Sequence, residues 1–211
     1  MESQVRGGTR WKRFAVVMVP SVAATACIGV ALAQGALAAS FSVSGQSFKV
    51  KAALLEGKGF SQYGAVDVGP GGSIKPVAVS AFDSADITNM CQSVVTPNIP
   101  ILGSVTLRLE AGGGGTPVQA KNLYIDVQDL KADAVFSNID IGVAAGSITK
   151  GPKVKQQELD EGRASKFGFA QQADEATLTG VEQTAWATTA GTFKLSGLSM
   201  KLSKGTDAEC F

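Results

Sequence analysis

Beyond residue 40 the chain alternates. Phe41 and Val43 are spaced by serines, and Phe48, Val50, Ala52 and Leu54 then alternate with Ser47, Lys49 and Lys51. A period of two with polar residues opposite is the pattern of a strand buried on one face. Gly57-Lys58-Gly59 is expected to interrupt this run, and Phe60 to Val68 to resume it until Gly69-Pro70-Gly71-Gly72 imposes a turn. Pro76 to Phe82 reads as another short strand. Asp83 or Ser84 could cap a short helical turn over Ala85 to Met90 that presents Cys91, and Pro97 and Pro100 exclude a helix just after it. Val105, Leu107 and Leu109 form a clean strand pattern, followed by the glycine loop Gly112 to Gly115.

The most informative stretch changes parity. Leu123, Ile125 and Val127 lie at odd positions, Leu130, Ala132, Ala134 and Phe136 at even ones, and Ile139, Ile141 and Val143 at odd ones again. Each switch would turn the apolar set to the other face unless a bulge or turn intervenes, and Gln128-Asp129 and Ser137-Asn138 are the places for it. Near the C-terminus, Phe193 and Leu195 precede Ser196-Gly197, then Leu198, Met200 and Leu202, as if a two-residue turn set Leu195 and Leu198 on one face of a hairpin. Lys150 to Lys166 carries eight charges of mixed sign and reads as a solvated, mobile loop or short surface helix. Eight to twelve short strands and almost no amphipathic helix predict a mainly β domain: a twisted antiparallel sheet, a sandwich or an open barrel.

The N-terminus does not alternate. Phe14 to Ala39 holds 26 residues without a charge, directly after Arg6, Arg10, Lys12 and Arg13. A basic flank before an apolar run directs a chain into a membrane with its N-terminus in the cytoplasm. The expected organisation is a basic cytoplasmic tail over 1–13, one hydrophobic helix over 14–39 and an exported β-rich domain over 40–211. The protein would then sit on the cytoplasmic membrane with its C-terminal domain outside, or be secreted if the leader is cut. The length from Phe14 through Val17 and Pro20 to Ala33 suits a retained anchor of about 20 residues. Ala31-Leu32-Ala33 and Ala36-Leu37-Ala38 equally suit signal cleavage, and Ala24-Thr25-Ala26-Cys27 loosely suits a lipobox. Cys27, Ala31, Gly35 and Ala39 recur every four residues, a stripe along which two helices could pack.

Charge adds little: after Phe14 there remain 15 basic and 17 acidic residues, with no basic patch, so nucleic acid is not an expected partner. Outside the apolar run the cysteines are Cys91 and Cys210, and in an oxidising compartment they are expected to pair. The chain has no histidine. That removes Ser-His-Asp and Cys-His catalysis, histidine metal sites and the usual base near neutral pH, so no cofactor, metal or catalytic residue is assigned. A Ser-Lys pair, Ser61 with Lys58 or Ser47 with Lys49, would need a deeply buried lysine. Asp126, Asp129, Asp133 and Asp140 cluster without calcium-loop spacing, and Tyr63, Tyr124 and Trp186 read as half-buried packing residues.

The segments Ser40 to Val50 and Glu56 to Gly64, the closing Cys210-Phe211 and the N-terminal apolar run together resemble an uncharacterised family of actinobacterial envelope proteins, some members of which carry the label "cholesterol esterase". The resemblance implies a cell-envelope setting and a connection with lipid, but none of these motifs is catalytic. The leading expectation is a non-enzymatic envelope domain, structural or binding an apolar, lipid-like ligand between sheet faces beside the small Ala132, Ala134, Ala185 and Ala187. A lipid or sterol ester hydrolase and a self-assembling surface protein, a homo-oligomer, are the alternatives.

Overall fold

The structure, a computed structural model, describes residues 44–211. The basic tail, the apolar segment with its helix stripe, and the choice between anchor and leader lie outside the described residues. Nine strands follow in chain order: β1 (Phe48–Val68), β2 (Ile74–Thr88), β3 (Met90–Ile99), β4 (Gly103–Ala111), β5 (Val118–Ser137), β6 (Asp140–Ala144), β7 (Phe169–Thr189), β8 (Thr192–Lys194) and β9 (Ser199–Lys204). One short helix, α1 (Gln156–Asp160), lies between β6 and β7. Every ladder is antiparallel.

The long strands close on themselves. β1 pairs with β2, β2 with β5, β5 with β7, and β7 returns to β1. The sheet is therefore a closed ring, with β3, β4 and β9 continuing from β1 as a flap. Closure gives β1 a partner on both edges, removing an edge that would otherwise invite association.

β1 runs unbroken over 21 residues, so Gly57-Lys58-Gly59 does not interrupt it. The glycines answer to packing. A Cβ on Gly57 would overlap the Phe82 ring, and Gly59 has φ +62° with the Asp83 side chain lying against it. Nor is there a helical turn at 83–90: Ala85 and Ile87 are buried and Asp86 is exposed, the alternation of a strand. The capping residues misled because Asp83 occupies a kink in a sheet rather than a helix start.

That kink is shared. The rung where Gly59 would meet Asp83 is missing from the β1–β2 ladder, as is Asp83 with Asn122 between β2 and β5, and Gly59 with Asp174 between β1 and β7. Gly59 and Asn122 have positive φ (62° and 48°). Asn138, at φ 54°, extends the row by donating from its amide to Asp174 Oδ2 at 2.6 Å. A second row runs through Gly180 (φ 62°), Ala53 and Asn89 (φ 52°). Inward-facing parity reverses at each row. On β1 the core positions are Val50 and Ala52, then Leu55, then Phe60; Leu54, expected in the alternation, falls outside the set. On β7 they are Ala173, then Ala176 and Leu178, then Val181 and Ala185.

The parity switches expected in β5 are found. The one at Gln128-Asp129 is a register shift between Val127 and Asp129, and the one at Ser137-Asn138 is the turn into β6. The Ser196-Gly197 turn forms, but its flanks separate: β8 pairs with β5 and β9 with β4. Leu195 consequently packs on the core while Leu198 is exposed.

A second apolar cluster lies on the outside of the ring. Tyr63, Val77, Val79 and Ala170 are covered by Ala145, Ile148 and Val154 of the segment between β6 and β7. This strap is not the mobile, solvated loop its charges suggest. The Gln172 side chain accepts from the backbone N–H groups of Thr149 (2.7 Å) and Lys150 (3.0 Å). Ser61 Oγ donates to the Pro152 carbonyl at 2.6 Å, and Val66 N–H donates to the Arg163 carbonyl at 2.9 Å. Cys91 and Cys210 are joined, as expected, across 119 residues. The C-terminal tail is held further by Lys49, which meets Glu209 at 2.6 Å and the Phe211 carbonyl at 2.8 Å.

Candidate functional site

The interior of the ring is incompletely filled. Between β1, β2, β5 and β7 lies a cavity of about 170 Å³, lined on its apolar side by Leu55, Phe60, Phe82, Ile125, Phe136 and Leu178. The β5 residues Leu130, Ala132 and Ala134 line it as well, in the half of that strand that follows its pairing with β2 and keeps β7 alone as neighbour. Leu130 is 39% exposed and Ala134 is exposed, which places the mouth there. A smaller void of about 20 Å³ shares Leu55, Ile125, Val181 and Gln183 with it and leads towards Val50 and Phe193.

Small side chains make this space. Ala132 and Ala134 face it, as expected of residues that leave room for a ligand. Ala185 and Ala187 do not: Ala185 is fully buried in the core at its pairing with Phe48, and Ala187 pairs with Asp126.

Three of the four polar lining residues bond to one another. Gln171 Nε2 donates to Gln62 Oε1 at 2.7 Å, and Gln62 Nε2 donates to Ser80 Oγ at 2.8 Å. None of the described lining residues is charged. A charged headgroup would lose hydration here without gaining an opposite charge, a cost that an apolar group does not meet. The cavity therefore suits hydrocarbon. Its volume is of the order of the engineered cavity of about 150 Å³ that admits benzene, and below the roughly 300 Å³ at which whole small-molecule sites begin. A chain terminus fits; four fused rings do not. A wider groove of about 640 Å³ beside the disulfide is more open, and its Lys51, Arg108 and Glu110 side chains already form ion pairs with Glu182 and with each other.

The strap covers a second group of chemically distinctive residues. Tyr63 donates its hydroxyl to Glu158 Oε2 at 2.8 Å, and Lys155 Nζ lies 3.5 Å from Glu158 Oε1. Glu158 is 3% exposed, on a helix that the sequence suggested would be solvated. Beside it Arg163 Nη1 approaches Asp67 Oδ1 at 3.9 Å. Asp67 Oδ2 and Asp126 Oδ1 are buried with no hydrogen-bond partner among the described residues. Burial, then the neighbouring Asp67, pushes the Asp126 carboxyl up to about 7, and burial likewise raises Asp67 despite the Arg163 charge. Burial and the Glu158 carboxylate drive the Tyr63 hydroxyl far above its ordinary range.

The structure scatters most of the sequence's chemical candidates. Asp126 is buried, Asp129 and Asp133 are exposed, and Asp140 pairs with Lys150 at 2.8 Å. Among the described residues no three acidic or cysteine side chains gather as a metal site. Ser61 is fully buried with its hydroxyl committed to Pro152, and Lys58 stands exposed in the rung with Ser84. Lys49 is bound to the C-terminal tail rather than to Ser47. Tyr63, Tyr124 and Trp186 do come together, as packing residues of the outer cluster. Tyr124 lies under Lys155 Nζ at 4.6 Å and Trp186 under Lys75 Nζ at 4.7 Å. Glu158 and Arg163 were invisible as partners, because only the path of the strap brings them over β1.

No curated protein and no solved structure shows a significant match to the chain. A family model described as a family of unknown function (DUF6230) matches residues 44–211, all of the described domain, and the chain belongs to that family.

Proposed function

We propose that this protein is a non-catalytic cell-envelope domain, tethered to the cytoplasmic membrane through residues 14–39, that receives the apolar end of a lipid-like ligand inside its ring. The observation that carries the reading is the uncharged interior cavity of about 170 Å³ with its mouth beside Leu130 and Ala134. Its size favours a fatty acyl or prenyl terminus over a sterol, with the polar end of the ligand remaining outside the mouth. The disulfide Cys91–Cys210 suits an oxidising space, which supports the envelope setting.

The test is mass spectrometry of lipids that co-purify with the full chain from membranes, compared with an Ala134→Phe variant whose side chain would plug the mouth. Co-purified acyl or prenyl lipid that disappears in the variant supports the reading. Wild-type protein that carries no lipid above the variant's background, and does not displace a fluorescent fatty acid from solution, refutes it.

A further inference from the structure

The hairpin between β3 and β4 is built against the usual rules for a tip in water. Residues 94–107 contain no charged side chain. Ile101 is 103% exposed and Leu102 51%. Ile101 also adopts φ +73°, a conformation that β-branched residues avoid. Asn98 (φ 57°) and Gly103 (φ 77°) flank it in the same region, so the backbone turns tightly around an isoleucine that nothing in the domain covers. Strain of this kind persists where the displayed group has a use.

The position of the tip identifies what it meets. The β1–β3 ladder pairs Phe48 with Val94, and Thr96 Oγ1 donates to Gln46 Oε1 at 3.5 Å. β3 therefore runs on past the point where the chain enters β1, and the tip projects from the end of the domain at which the N-terminal segment joins. At about 3.3 Å per residue, Ile99 lies at most about 10 Å beyond Thr96, with a register shift between them. The apolar stretch ends at Ala39, and the chain from there to Gln46 spans at most about 25 Å. A surface entered by residues 14–39 is within reach of Ile101 and Leu102. Lys204, opposite Val105 on β9, and Lys201 are exposed at the same hairpin, with Asp207 the acidic residue just beyond them.

We infer that Ile101 and Leu102 dip into the interfacial layer of the bilayer that holds the N-terminal segment, so that the domain stands on the membrane by its β3–β4 tip. This rests on the membrane tether proposed above and adds an orientation to it: the opposite end, with Ile74 in the β1–β2 turn, points away from lipid. Bulky apolar side chains without neighbouring charge are what the interface accepts.

The experiment is tryptophan quenching by chain-brominated lipid in the full-length protein, reconstituted into vesicles of equal parts phosphatidylcholine and phosphatidylglycerol. Trp11→Phe and Trp186→Phe remove the native fluorophores, circular dichroism checks the fold, and single tryptophans are placed at Val17, Ile101 or Ile74. Loss of emission for Ile101→Trp and Val17→Trp but not Ile74→Trp is expected. Quenching at Val17→Trp alone overturns the tip contact and leaves the tether intact. Quenching at Ile101→Trp alone upholds the tip and removes the tether. No quenching at either overturns both. An Ile101→Trp emission that shifts with protein concentration, and not with lipid, means a second copy covers the tip and also overturns the inference.

Discussion

Gly57 offers the sharpest test of how the ring is packed. It is buried, and a methyl group at its Cα would overlap Cδ1 and Cε1 of Phe82. Phe82 is 2% exposed, and its centroid lies 5.4 Å from that of Phe60. Outward movement is blocked, so the ring can yield only into the cavity it lines. Overpacking of this kind costs about 1–3 kcal/mol. Gly64, on the same strand, has nothing within 4 Å of a built Cβ and no positive φ, so alanine there should be neutral or stabilise by up to about 1 kcal/mol. The two Gly→Ala variants should therefore differ by roughly 1–4 kcal/mol in urea unfolding with the disulfide intact, at unchanged m. Phe82→Leu should relieve the overlap, with a coupling to Gly57→Ala of about 0.5–3 kcal/mol. Because the displaced ring enters the cavity, Gly57→Ala should also weaken uptake of an apolar probe. Equal stability of Gly57→Ala and Gly64→Ala would refute the packing described for β1.

Asp126 makes stability pH-dependent. Its folded value of about 7 lies above the ordinary unfolded value near 3.9, so the folded state binds the proton more tightly. Stability should then fall as pH rises between those values, by at most about 1.4 kcal/mol per pH unit, and level off above them. Asp126→Asn should flatten that slope in urea titrations across pH, and a variant as pH-sensitive as wild type would contradict the buried carboxyl. Ile101→Gly relieves a strained φ at a site that buries nothing, so the melting temperature should rise, by an amount matching about 1–3 kcal/mol. Cys91→Ala with Cys210→Ala opens a 119-residue loop, for which chain entropy gives about 4–5 kcal/mol. Proteolysis should then trim the C-terminal tail first, and an unaltered melting temperature would show that the brace contributes nothing.

The alternation of apolar positions disclosed the strands because a half-buried sheet imposes a period of two on whatever sequence builds it. The cysteine pair was legible by elimination. Glycine carries two meanings, however, and only the fold separates them: Gly69 to Gly72 surround the β1–β2 turn, while Gly57 and Gly59 lie inside a strand because Phe82 and Asp83 need the room. Asp83 was read as a helix cap because a short polar residue before Ala85 and Ile87 is locally ambiguous, and the neighbouring strands that settle it, β1 and β5, are remote in sequence. The cavity could be glimpsed through Ala132 and Ala134. The charged cluster around Glu158 could not, since a run of mixed charges says nothing about which member faces inward. Ile148 and Val154, lone apolar residues near and within that run, were the available hint that the strap is anchored.

Closure of the ring sets an order of events for the newly made chain. β1 is the first long strand to emerge, yet one of its two neighbours is β7, whose ladder joins Phe48 to Ala185. Until β7 arrives, one side of β1 has only water to bond with, and Cys91 waits 119 residues for Cys210. Pairings so distant in sequence form slowly and leave bare strand edges in the interim. A chain in which β7 has yet to form would therefore leave β1 bare along one edge, and helpers that shield unfinished β-structure would be expected to act on this protein.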